Sequence, residues 1–200
     1  MGNVTTLLFD LGGVLIELGS LQQMMASSPF DDQQIWKNWI SSPSVRRFES
    51  GRCTDIEFAQ GMINEFGLAV SVDNFLVKFN AWPQGAFGGA EELLIALVDR
   101  YRLACLSNTN ISHFNHFLHD QPVMKYFEMS FLSHQTGILK PDRAAFDNVL
   151  RRLCAEPGEV LFFDDNPGNI AAATDLGFET DLVNAPDDVI RALKRRGLQV

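Results

Sequence analysis

The sequence predicts an α/β fold: a doubly wound parallel sheet with a small helical domain inserted after its first strand. Three observations carry that expectation. Thr5-Thr6-Leu7-Leu8-Phe9 runs as a mostly apolar strand straight into Asp10, with Gly12-Gly13 close behind. A continuous apolar run bounded by glycines suits a strand buried on both faces. From Ala90 onward strand-like and helical patterns alternate, as they do in parallel sheets with right-handed crossovers. Between these parts, residues 17–82 carry helical patterns instead. The expected division is therefore a core of residues 1–16 and 83–200 and a helical cap of residues 17–82.

Each element has its own local signal. Asp31-Asp32 open an amphipathic run with Ile35, Trp36, Trp39 and Ile40, because acids favour a helix start. Ser41-Ser42-Pro43 breaks that helix, and Glu49-Ser50-Gly51 reads as a turn. Thr54 with Glu57 forms a capping box ahead of Phe58, Met62, Ile63 and Phe66. Ser71-Val72-Asp73 starts a helix through Phe75, Leu76 and Phe79. The core then resumes with a helix over 90–100, Leu93, Leu94, Leu97 and Val98 facing inward. Strands follow over 102–107, 127–132, 160–163 and 179–183, separated by helices. Pro141 leads into one helix and Gly177 ends another, as their backbone preferences require.

Composition narrows the function. Two hundred residues, 46% of them hydrophobic and 16 of them Phe, support a sizeable core. A net charge of −9, with no basic stripe beyond Arg151-Arg152 and Lys194-Arg195-Arg196, argues against a nucleic-acid partner. Those short clusters read as solvated helix faces. Cys53, Cys105 and Cys154 are odd in number and widely spaced, which suits reduced thiols and a cytoplasmic location. No membrane-length apolar run or signal-peptide pattern is present, so no membrane role is expected. Met1-Gly2 with Thr6 fits a myristoylation pattern, but Gly2 lies so near the first strand that a lipid there has little reach. The chain is expected to be a monomer or a homodimer.

The chemistry concentrates at the strand ends, where ligands gather in such sheets. Asp10 at that position either caps the next helix or meets a cation, since an unpaired buried carboxylate is costly. Asp164 and Asp165 end the fourth strand and converge on Asp10 if the first and fourth strands are neighbours. Crowded carboxylates need a cation, and oxygen-only ligands point to Mg²⁺. Ser107 and Asn108 offer a hydroxyl and backbone N–H groups to an oxyanion such as phosphate, and Lys140 adds a compact positive charge. A carboxylate nucleophile, a metal, a hydroxyl and a lysine together make phosphoryl transfer through an aspartyl-phosphate coherent.

These stretches resemble the motifs of the haloacid dehalogenase superfamily. Phe9-Asp10-Leu11-Gly12-Gly13-Val14 resembles its first motif and Leu106-Ser107-Asn108 its second. Lys140-Pro141-Asp142 resembles the third and Phe163-Asp164-Asp165 the fourth. The order and approximate spacing match across nearly the whole chain, and the helical insertion resembles the small cap of the family's first subclass. The resemblance implies a Rossmann-like core with Asp10 as nucleophile and metal ligand. It also implies Mg²⁺ binding by the Gly12 carbonyl and Asp165, with Asp164 behind them near Lys140.

One departure stands out. Most family phosphatases carry a second aspartate two residues after the nucleophile, to protonate the leaving group and then activate water. Here that position is Gly12, and a missing acid/base can cost about 10²–10⁴-fold in rate. Either a water held by Asp164 or a cap residue such as Glu49 could take over. Arg46, Arg47 and Glu49 lie where cap residues reach the core site, as substrate-selecting groups or as a solvated face. His113, His116 and His119 read as surface or partly buried residues, and His134 as one that could approach the site. Trp36, Trp39 and Trp82 read as packing residues. The leading expectation is a Mg²⁺-dependent phosphatase of a small phosphorylated metabolite, a sugar phosphate above others. A haloacid dehalogenase and a non-catalytic phosphate-binding or regulatory module are the alternatives.

Overall fold

A computed structural model describes residues 4–200, and the Gly2 acylation pattern lies outside the described residues. The chain opens with β1 (Thr6–Phe9), all four residues buried, and then β2 (Ile16–Leu18). Five helices follow: α1 (Leu21–Met24), α2 (Asp32–Ser41), α3 (Pro43–Glu49), α4 (Asp55–Phe66) and α5 (Val72–Asn80). β3 (Pro83–Ala86) pairs antiparallel with β2. The remainder runs α6 (Ala90–Val98), β4 (Arg102–Ser107), α7 (Ile111–His116), β5 (Met129–Leu132), α8 (Ser133–Thr136) and α9 (Arg143–Leu153). It closes with β6 (Val160–Asp164), α10 (Pro167–Asp175), β7 (Glu179–Leu182) and α11 (Pro186–Arg195).

The main sheet is parallel throughout, in the order β5-β4-β1-β6-β7. β1 therefore sits at the centre, with β4 on one side and β6 on the other. Phe9 is level with both Cys105 and Phe163, which brings the residues after β1, β4 and β6 to one edge. Leu7 and Phe9 point into one apolar layer and Leu8 into the opposite one, the period-2 alternation of a strand covered on both faces. The helices α1–α5 bury a third apolar cluster of their own, in which Phe48 stacks on Phe58 with ring centroids 4.3 Å apart.

Local chemistry explains the helix boundaries. Ser42 ends α2 and also caps α3, its hydroxyl accepting from the Val45 N–H at 3.1 Å while Pro43 takes the first position. Thr54 and Glu57 make the reciprocal capping box. Three expectations are revised. The β2–β3 ribbon carried no strand signal, because Pro83 and Gly85 are poor strand formers and the pairing is short. Val98 is exposed, as the last residue of α6. Trp36 is 45% exposed, on the side of α2 that the cluster does not cover, whereas Trp39 is buried.

Candidate active site

Three carboxylates meet where β1 and β6 end. Asp10, Asp164 and Asp165 bring one oxygen each within 4.8 Å of the others. Lys140 stands between two of them, its Nζ 2.9 Å from Asp10 Oδ1 and 2.6 Å from Asp164 Oδ2. The Leu11 N–H also donates to Asp10 Oδ1, at 2.7 Å. One Asp10 oxygen is thus held while the other is left for chemistry.

The two aspartates of β6's end differ in their duties. Asp164 is fully buried and accepts from Lys140 Nζ, the Asn166 N–H and the Asn169 side-chain amide. Asp165 is more open, and its carboxylate lies against Gly13. Asp165 therefore keeps lone pairs that could serve a cation, whereas those of Asp164 are taken by Lys140, Asn166 and Asn169. Burial pushes the Asp10 carboxyl up to about 7, with Lys140 opposing and Asp164 and Asp165 adding repulsion. Burial also raises Asp165, and Asp164 adds to the effect. For Lys140 burial favours loss of the proton, but Asp10 and Asp164 outweigh it and hold the ammonium well above its usual range. Carboxylates driven up by burial, with mutual repulsion adding to it, fit a hard divalent cation such as Mg²⁺.

Across the site, Ser107 ends β4, buried and lining the same cavity. The Asn108 side chain is engaged twice with the Lys140 main chain: its Nδ2 donates to the Lys140 carbonyl and its Oδ1 accepts the Lys140 N–H, both at 2.9 Å. That leaves Asn108 only its main chain for an anion, and its side chain instead fixes the lysine's loop. The Thr109 N–H is also taken, by Ser133 Oγ at 2.9 Å. The helix after β4 starts only at Ile111, so these residues form a loop ahead of it.

A cavity of about 720 Å³ spans the gap between these strand ends and the helices α2–α5. Asp10, Gly12, Ser107, Lys140 and Asp165 line its floor; Arg46 and Glu49 reach it from α3. Arg47 is not among its lining residues, because it projects on the other side of α3 near Glu57 and Cys53. His134 does not line it either. Glu49 is half-buried, and burial pushes its carboxyl up to about 7, with Lys140 opposing and Asp10 adding to the rise. His113 was not foreseen here. It is buried against the cavity, stacks on Phe79 at 4.1 Å and has its Nε2 2.8 Å from the Phe79 carbonyl. Burial lowers it to about 4, so it is neutral. Its own N-terminal neighbour Asn110 was the available signal, since an Asn three residues ahead of a His can cap the helix and bond the ring.

A model of the haloacid dehalogenase-like hydrolase family matches residues 4–177. The chain belongs to that family. As a haloacid dehalogenase-like hydrolase it is 24% identical to a D-ribitol-5-phosphate phosphatase of Bacteroides thetaiotaomicron, over 88% of this chain and 90% of the relative. A haloacid dehalogenase family enzyme from the same bacterium, solved as a magnesium complex, superposes with a TM-score of 0.78 at 27% identity. That match covers 96% of this hydrolase and all of the neighbour. A further structure of that enzyme contains magnesium and inorganic phosphate; its TM-score is 0.73 at 28% identity, covering 90% of this chain and 93% of the other. No helix among the described residues of this hydrolase is long and apolar enough to cross a membrane.

Proposed function

We propose that the protein is a Mg²⁺-dependent phosphatase of a small phosphorylated metabolite, with a sugar phosphate as the favoured substrate, working through an aspartyl-phosphate on Asp10. The observation that carries this is the Asp10 carboxylate itself. One oxygen is tied to Lys140 and the Leu11 N–H and the other is unengaged, at the floor of a cavity that also holds Ser107 and Asp165. In this reading the free oxygen attacks phosphorus. Ser107, the Asn108 main chain and Lys140 hold the phosphoryl oxygens. Asp10, the Gly12 carbonyl and Asp165 would hold the ion, which when bound draws charge off the phosphoryl group and relieves the carboxylate repulsion. Asp164 keeps Lys140 in place. The neighbour solved with magnesium and phosphate and the ribitol-phosphate phosphatase relative support the same chemistry.

Residues 17–82 are read as the cap, supported by their separate apolar cluster and by the paired entry and exit strands β2 and β3. Arg46 and Glu49 are its substrate-facing charges; Arg47 is left out. A dehalogenase is disfavoured because attack on carbon needs no metal and gains nothing from three crowded carboxylates. The test is release of phosphate from a panel of sugar, polyol and aryl phosphates, with Mg²⁺ and with EDTA, beside halide release from haloacids. Mg²⁺-dependent phosphate release is expected. Halide release, or phosphate binding without turnover, would replace the reading.

A further inference from the structure

We propose that Glu49 is the acid and base that the chain lacks at Gly12, placed on the cap instead of beside the nucleophile. This rests on the phosphatase reading of the site. The space next to Gly12 is apolar: a side-chain carbon there would meet Leu18 Cδ1 at 3.1 Å. The other titratable groups lining the cavity are already engaged. Lys140 is bound by two carboxylates, His113 has both ring nitrogens within hydrogen-bond reach of protein partners, and Asp10 and Asp165 serve the phosphoryl group and the ion. Glu49 lines the same cavity, and its carboxylate makes no hydrogen bond or ion pair with the described residues.

The backbone around Glu49 is pinned to the core on both sides. One turn earlier, Arg46 pairs with Asp142, two residues after Lys140. Two residues later, Gly51 adopts φ +68, and a Cβ there would stand 2.6 Å from the His134 carbonyl oxygen. Only a glycine lets the chain pass that close in that conformation. The two contacts hold the C-terminus of α3 over the cavity, with Glu49 between them. The charged and titratable groups around it are Lys140 and Asp10 below, Arg46 on its own helix and His134 under the turn, where burial disfavours protonation of the ring. With its carboxyl raised to about 7, Glu49 can both hold and release a proton near neutral pH.

The steps balance. An Asp10 oxygen bonds phosphorus as the bond from phosphorus to the substrate oxygen breaks, and the Glu49 proton passes to that oxygen, giving the alcohol. Glu49, now a carboxylate, takes a proton from water as the water oxygen bonds phosphorus. The bond from Asp10 to phosphorus then breaks, phosphate leaves and Glu49 is protonated again.

The test is Glu49→Gln, which keeps the size of the side chain, assayed with Mg²⁺ on an alkyl phosphate such as ribitol 5-phosphate and on p-nitrophenyl phosphate. Alkyl phosphate turnover is expected to fall about 10²–10⁴-fold. p-Nitrophenyl phosphate, whose leaving group needs no proton, is expected to give a rapid burst of one nitrophenolate per enzyme and then slow turnover, since only the water step still lacks its base. The limb of the pH profile near 7 should vanish in Glu49→Gln and persist in Glu49→Asp. Equal losses on both substrates without a burst, or an unchanged pH profile, would overturn the assignment while leaving the phosphatase reading standing. A natural protein that releases no phosphate would overturn both.

Discussion

The Asp165 carboxylate lies against the Cα of Gly13, in the space that a side-chain carbon would fill. Gly13 also has φ +73, where other residues are strained. Gly13→Ala is therefore expected to displace the Asp165 carboxylate and to cost on the order of 1–2 kcal/mol in stability. Its main effect should be at the metal: a Mg²⁺ titration of activity is expected to shift to clearly higher concentration. An unchanged Mg²⁺ midpoint would separate Asp165 from the ion.

The unequal duties of the two aspartates at the end of β6 predict a crossed pattern. Asp165→Ala should weaken Mg²⁺ activation more than Asp164→Ala does. Asp164→Ala should be the more damaging to stability, about 3–5 kcal/mol, because it strips a partner from a buried lysine. Metal titrations paired with denaturant unfolding of both variants check this, and a reversed order would exchange the two roles.

Asp10→Asn should abolish turnover with the fold intact, since an amide cannot supply the attacking oxygen. The same substitution has a pH signature in metal-free protein. The Asp10 carboxyl is raised from 3.8 to about 7, so the folded state holds its proton longer than the unfolded chain does. Stability from this group is full below about pH 4 and is lost as pH rises to about 7. Glu49, raised from 4.5 to about 7, adds a loss of the same sign. In EDTA, Asp10→Asn is thus expected to be more stable than the natural protein at pH 8, with the advantage shrinking toward pH 4. Unfolding curves at several pH values measure it; an advantage that grows on acidification would contradict the sign.

Gly12→Asp tests whether the acid can return to its usual place. Gly12 does not occupy the left-handed region, and the three atoms nearest to an added Cβ all belong to the Leu18 side chain. The side chain should therefore fit once Leu18 turns aside. In a Glu49→Gln background, Gly12→Asp is expected to recover part of the lost alkyl phosphate turnover. Failure to recover any, in a protein that still binds Mg²⁺ normally, would mean that this corner cannot host an acid.

Much of the site was legible because strand ends announce themselves. An apolar run ending in Asp10, another in Ser107-Asn108 and another in Asp164-Asp165 needed only β1 between β4 and β6 to converge, and that is the observed order. What the sequence could not express were partnerships. The Asn108 amide suits an anion as well as the Lys140 main chain, and only the fold decides which it meets. Arg46 and Arg47 are chemically alike, yet only the former faces the cavity. Trp36 sits on the apolar stripe of α2, but helical periodicity says nothing of what covers that stripe. The β2–β3 ribbon was hidden because its pairing is tertiary and short, and because β3, with Pro83 and Gly85, has no strand preference of its own.

That ribbon has a consequence for how such proteins change over time. Ile16 faces Ala86 across it, so the inserted helices leave and rejoin the chain at one place. A segment whose ends already touch can be lengthened, shortened or exchanged at a closure cost that grows only logarithmically with its length. The parallel sheet and its register need not adjust. On the proposed reading, selectivity can therefore be inherited as a cassette, replaced whole while the sheet and the carboxylate cluster at its strand ends stay as they were.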